Sequence, residues 1–285
     1  MKSPRILASL LFLSPVLAYS QAVFPGQSPA PAAGFPDSDL SGDMSAQVPY
    51  GNAVQGYQLS WSDEFKGDTL DTSKWAYRTD SKMWSTQLPE NISVGNGCLN
   101  IALKKEKSRG KSYTGGGVIS KRTFRYGYYE ASFKVPPGSG WHTSFWFAPA
   151  NGATKGGNST LEIDFCEQDS VGLTSYSAGV IAWEQHAKGY GRQYVHTPNL
   201  HDAFHVWGCE YTPETVKFFF DGKLTHQTDA TKFKNGMGSI WLTCIASQLG
   251  RTWGVDGKKL PAVAQFRYVR FFTKSGGPDQ TPGSL

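Results

Sequence analysis

Within residues 57–274 the apolar positions fall in short runs separated by turn residues. They do not follow the three-to-four spacing of an amphipathic helix. Runs at 118–120, 126–134, 143–147, 161–167, 204–211, 216–220, 240–246 and 266–272 read as strands. Asp221-Gly222 directly follows the run 216–220 and predicts a tight hairpin-like turn there. Helix caps with matching periodicity are missing throughout. Many short strands between Gly-rich turns predict an all-β sandwich or barrel.

The two ends of the chain differ from this middle. Lys2 and Arg5 precede an apolar stretch from Ile6 to Leu17, and small residues near Ser20 suit cleavage. The stretch is shorter than the roughly 20 residues that span a bilayer. Residues 1–20 therefore read as a signal peptide, and the protein is expected to be secreted, periplasmic or on the cell surface. Residues 21–56 are rich in Pro, Ala, Gly and Ser and read as a leader or linker without a core of its own. A single folded domain is expected over 57–274, followed by a flexible tail at 275–285.

Composition narrows the choice of function. Aromatic residues make up 14% and charged residues only 18%, which excludes a disordered chain. The formal charge of +5 is weak and dispersed, and it gives no reason to expect a nucleic-acid partner. No run after residue 20 is apolar and long enough for a membrane span. Cys98, Cys166, Cys209 and Cys244 are widely spaced and lack a metal-binding pattern, so buried free thiols are expected. Neither a metal nor another cofactor is legible, and a monomer is expected.

The chemistry concentrates in Leu161-Glu162-Ile163-Asp164-Phe165-Cys166-Glu167, three acids within six residues of a strand. Regular alternation puts Glu162 and Asp164 on one face and Glu167 on the other. One extra residue, a β-bulge at Phe165-Cys166, brings Glu167 back to the first face. Two glutamates flanking an aspartate can then converge as in retaining glycoside hydrolysis, in which one carboxylate attacks and another handles the proton; a solvated acidic strand face or a calcium-binding edge is the alternative. Like charge from Glu162 and Asp164 is expected to keep Glu167 protonated. Trp141, His142, Trp146 and Trp183 lie on neighbouring predicted strands and are the candidate sugar-binding residues.

With these residues in view, the chain resembles glycoside hydrolase family 16 across about 59–272. Leu59-Ser60-Trp61-Ser62-Asp63-Glu64-Phe65 and Gly117-Val118-Ile119-Ser120-Lys121 match the family's early strands. Phe124-Arg125-Tyr126-Gly127-Tyr128-Tyr129-Glu130-Ala131 follows, then the bulged E-x-D-x-x-E motif at Glu162–Glu167. Phe204 to Pro213 and Tyr268-Val269-Arg270-Phe271 complete the order. The resemblance implies a β-jelly roll of two antiparallel sheets, like concanavalin A, with a substrate cleft on its concave face. It implies retaining endo-hydrolysis with Glu162 as nucleophile, Glu167 as acid/base and Asp164 tuning Glu162. Some relatives hold a structural calcium ion.

Departures from the family pattern bear on substrate. The Trp-Gly-Asn-x-Glu-x-Gln-Tyr block common in β-1,3-glucanases is replaced by Met83 to Asn91. Trp-Pro-Ala is replaced by Trp141-His142-Thr143-Ser144-Phe145-Trp146, which resembles the galactan-cutting branches. The strand after the motif offers Trp183 where relatives often carry a His. The expected substrate is a β-galactan or a galactose-containing chain such as poly-N-acetyllactosamine. A laminarin-type β-glucan is the alternative, and a transglycosylase or a non-catalytic lectin are further ones.

Overall fold

The computed structural model describes residues 48–150, 161–183, 186–247 and 254–276. In chain order its strands are β1 Tyr57–Asp63, β2 Trp75–Tyr77, β3 Ser81–Lys82, β4 Ser85–Gln87, β5 Ile92–Gly95 and β6 Cys98–Leu103. Then come β7 Tyr113–Ser120, β8 Gly127–Lys134, β9 Trp141–Ala148, β10 Leu161–Asp169, β11 Ser175–Trp183 and β12 Ala187–His196. The last are β13 His205–Tyr211, β14 Thr215–Phe220, β15 Lys223–Asp229, β16 Ser239–Ala246 and β17 Ala262–Lys274.

They form two sheets. One runs β15-β14-β13-β8-β17-β6-β5, with β1 also paired to β17. The other runs β12-β11-β10-β9-β16-β7-β4-β3, with β2 also on β7. All pairings are antiparallel except β4 with β7. This is the jelly-roll sandwich the sequence predicts. Alternation sends one side of each strand into the space between the sheets. Tyr129, Ala131 and Phe133 of β8 meet Phe145 and Phe147 of β9 and Leu161, Ile163 and Phe165 of β10 there. Phe133 stacks on Phe266 at 4.7 Å, and Tyr129 lies 5.0 Å from Phe165.

All eight predicted runs fall on observed strands, with ends shifted by a few residues. The turn at Asp221-Gly222 takes positive φ at both residues, +47° and +75°, as a two-residue hairpin requires. Phe220 therefore pairs with Lys223. The Asp221 side chain does a second job, accepting from the Val206 amide and from His205 Nδ1, each at 2.8 Å.

Several strands carry no pattern that sequence reading could use. β7 begins five residues earlier than the predicted run, at Tyr113, because Gly115 to Gly117 continue it. A Cβ at Gly115 would lie 2.6 Å from the Cys244 carbonyl oxygen, so the close approach of β16 requires glycine. β12 is exposed or half-exposed along its whole length and has no apolar face to announce it.

Residues just before the expected boundary at residue 57 also touch the sandwich. The Tyr50 amide donates to Glu130 Oε2 at 2.7 Å. Ala53 and Val54 pack against a cluster of Tyr57, Tyr128, Phe219 and Phe272. The end of the expected leader thus has apolar partners and satisfies a buried carboxylate. The predicted signal peptide, the leader up to residue 47 and the tail from residue 277 lie outside the described residues. All four cysteines are buried with free thiols.

Candidate active site

β10 carries the acids in the middle of the second sheet. On the β9 side Asp164 pairs with Trp146, then Cys166 with Phe145 and Glu167 with Ser144, so Phe165 is the extra residue. On the β11 side Asp164 pairs with Gly179 and Glu167 with Ser177. Two successive residues, Phe165 and Cys166, consequently turn into the core beside Leu161 and Ile163. The strand resumes one step out of phase, and Glu162, Asp164 and Glu167 share the outer face.

Each acid has its own surroundings. Glu162 Oε2 accepts from Trp183 Nε1 at 3.0 Å. Burial raises its pKa, opposed by that hydrogen bond and reinforced by the charge of Glu167. Asp164 is buried. Burial, then the charges of Glu167 and Glu162, push its carboxyl well above the ordinary range, opposed by the charge of Arg192. Glu167 is held by cations. Arg192 Nη2 of β12 pairs with its Oε2, which also accepts from Ser177 Oγ at 3.4 Å. His142 Nε2 lies 3.4 Å from its Oε1. Burial pushes Glu167 up, but the hydrogen bond and charge of His142, followed by Arg192, outweigh it and hold the carboxyl low.

This reverses the sequence expectation for Glu167. Its acidic neighbours do not raise its pKa above the ordinary value, because His142 and Arg192 oppose them. His142 is itself stabilised as a cation. Burial lowers its pKa, but hydrogen bonds to Asp169 and Glu167 and their charges raise it to about 9. Its Nδ1 lies 2.7 Å from Asp169 Oδ1.

The four residues predicted to bind sugar separate into two pairs. Trp146 is half-buried on the acids' face, 4.5 Å from Trp241 of β16 and tilted 31° to it. Trp183 also lies on this face, holding Glu162. Trp141 does not line the cleft. It is 1% exposed within the main core, with Nε1 directed at the Pro136 carbonyl. His142 is not placed to meet a sugar directly either. It is 5% exposed, and both ring nitrogens face carboxylates.

A family model described as Beta-porphyranase A-D, GH16 domain, matches residues 57–259. The chain belongs to glycoside hydrolase family 16. It is a glycoside hydrolase, and within the family an endo-β-glycosidase. It is 28% identical to the Beta-glucanase of Rhodothermus marinus, over 82% of this chain and 90% of that protein. It is 24% identical to the Kappa-carrageenase of Pseudoalteromonas carrageenovora, over 79% of this chain and 66% of that protein. The solved catalytic domain of an endo-1,3-beta-glucanase (laminarinase) from Thermotoga petrophila RKU-1 superposes with a TM-score of 0.69. It shares 20% identity over 78% of this chain and 99% of that one. The laminarinase from Rhodothermus marinus gives 0.66 at 24% identity, over 76% and 97%. Both have the same fold.

Sequence reading of this family 16 enzyme missed Arg192, Asp169, Ser177 and Trp241. Trp241 was within reach, since alternation along 240–246 puts it on the face of Thr243, opposite Trp146 and Ser144 in register. Arg192 was not, because nothing in the pattern of β12 marks a strand. Its place depends on Gly179, where a Cβ would come 2.7 Å from the Arg192 Cα.

Proposed function

We propose that the chain is an exported, retaining endo-β-glycosidase that cuts a β-linked galactan or galactose-containing glycan. The observation that carries the catalytic reading is the bulge, which gathers Glu162, Asp164 and Glu167 on one open face. Glu162 attacks the anomeric carbon, with its carboxylate oriented by Trp183 Nε1. Asp164, whose carboxyl is pushed upward by burial, hydrogen-bonds Glu162 and spreads its charge. Glu167 protonates the leaving oxygen and then draws the proton from the incoming water. The tilted pair Trp146 and Trp241 offers a sugar-stacking wall beside them.

Three things support a galactan. The matching family model is that of β-porphyranases. A kappa-carrageenase is among the similar proteins. Arg192, 40% exposed at the acids, gives the cleft a cation that suits a chain with anionic substituents. The second reading, a β-1,3- or mixed-linkage glucanase, is favoured by the similarity to the Rhodothermus marinus Beta-glucanase.

Incubation with agarose, porphyran, carrageenan, keratan-type glycan, laminarin and mixed-linkage glucan, followed by sizing of the products, tests the substrate. Fastest release of oligosaccharides from a galactan is expected, and faster release from laminarin overturns it. Addition of an acceptor sugar separates hydrolysis from transglycosylation. Glu167→Ala tests the acid/base role: it should keep activity on an aryl glycoside with a good leaving group, and azide should rescue its second step.

A further inference from the structure

We propose that Asp169 and His142 form a proton relay behind Glu167, with His142 Nε2 supplying and recovering the proton that Glu167 exchanges at the scissile bond. The proposal rests on the reading of Glu167 as the acid/base. It starts from a difficulty in that reading. An acid must hold a proton, yet Glu167 faces two cations that favour its carboxylate.

The geometry offers a source. Asp169 stands opposite His142 in the β9–β10 register, two residues beyond Glu167, so all three side chains share one face. Asp169 Oδ1 accepts from Nδ1 at 2.7 Å, which fixes the ring and leaves Nε2 aimed at Glu167 Oε1, 3.4 Å away. The imidazole is buried, so its proton passes to Glu167 more readily than to bulk water. From β10, Glu167 and Asp169 are the charged groups that face it. From β16 it meets Ile245 in register, with Thr243 beyond, and neither titrates. Arg192 on β12 occupies the other oxygen of Glu167, and Asp164 and Glu162 lie farther along β10.

The steps balance. Before the glycosidic bond breaks, the N–H bond at Nε2 breaks and an O–H bond forms at Glu167 Oε1. That proton passes to the leaving oxygen as Glu162 bonds to the anomeric carbon. The imidazole is left neutral, with its Nδ1–H still donated to Asp169. In the second half, water attacks the anomeric carbon and gives its proton to Glu167. The proton returns to Nε2, and Glu162 leaves as a carboxylate. His142 and Asp169 are positioning residues in this scheme, since neither touches the sugar.

The test is the pH profile of kcat/KM for wild type, His142→Asn and Asp169→Asn, with folding checked by circular dichroism. In wild type the basic limb should lie near 9, where His142 loses its proton. A wild-type limb in the carboxylate range overturns the relay without any variant. In both variants the limb should move down by one pH unit or more, that is, by at least about tenfold in proton affinity. If His142 is only a charge partner, removing it frees Glu167 of a nearby cation, and the limb moves up. An upward or unchanged limb therefore overturns the proposal. Asp169→Asn keeps the shape of a partly exposed residue and carries the test if His142→Asn fails to fold. Failure of the underlying reading looks different: Glu167→Ala would then show no azide rescue, whatever the limb does.

Discussion

Each sheet of the sandwich carries a patch of acids and arginine on its outer side, and the two patches behave differently. On the first sheet Arg270 makes a bidentate pair with Glu64 at 2.9 and 2.8 Å and lies 3.7 Å from Glu130. The Tyr50 segment closes over Glu130, which is 0% exposed. On the second sheet Glu162, Asp164 and Glu167 are left facing the cleft, with Arg192 in front of Glu167. The ingredients match, but Glu130 is covered by its own chain, whereas Arg192 beside Glu167 is 40% exposed. In the covered patch the charges join β8 to the segment before β1 and β17 to Glu64 just after it. An open patch can exchange a protein partner for a substrate.

Substitution of the nucleophile should separate the two most sharply. Glu162→Ser should lower turnover by on the order of 10^4-fold or more, with an unchanged melting temperature, because its side chain faces the cleft. Arg270→Ala should do the opposite. It leaves Glu130 buried without its cation and should cost about 3–5 kcal/mol of stability, read by urea denaturation, with kcat/KM of the folded fraction kept.

pH offers a third contrast. Burial, against the Tyr50 hydrogen bond and the Arg270 charge, raises Glu130 to about 7 from its ordinary 4.5. The folded state then binds more protons than the unfolded one between those values. Stability should therefore fall as pH rises from about 4.5 to 7, by about 3 kcal/mol from this residue. Glu130→Gln should flatten that part of the curve, and an equal slope in both proteins would mean that Glu130 ionises normally.

The smallest effect sets two tryptophans of one strand against each other. Trp146→Ala should lower kcat/KM by about 1–3 kcal/mol of lost stacking, on the scale of base–aromatic contacts. Trp141→Phe should reduce stability and leave kcat/KM near wild type, since Trp141 is a core residue.

That last pair shows where sequence reading stops. Trp141 and Trp146 are five apart, so regular alternation already places them on opposite faces. The choice of which face is the core needed the partner sheet. The acids were legible because their spacing is unusual and the bulge follows from strand phase. The Asp221-Gly222 turn was legible for a similarly local reason. The environment of Glu167 was not. It is made by His142 from β9 and Arg192 from β12, which only the register brings to one carboxylate. Electrostatic roles depend on such long-range pairings, whereas hydrophobic phase is written locally.

The bulge at Phe165 and Cys166 also shapes how this chain can vary. Between Glu162 and Glu167 the number of residues matters more than their kind, because the count decides which side of the sheet the second glutamate meets. Exchanging Cys166 for Ala should cost little activity, since its thiol is buried and faces the core. Removing it should abolish activity by turning Glu167 into the core. In a library of single changes across this strand, replacements at 165 and 166 would survive on volume alone, while every one-residue insertion or deletion would be purged. The active site is in this sense protected by a reading frame within the folded protein, and drift in the motif is confined to substitutions that keep its length.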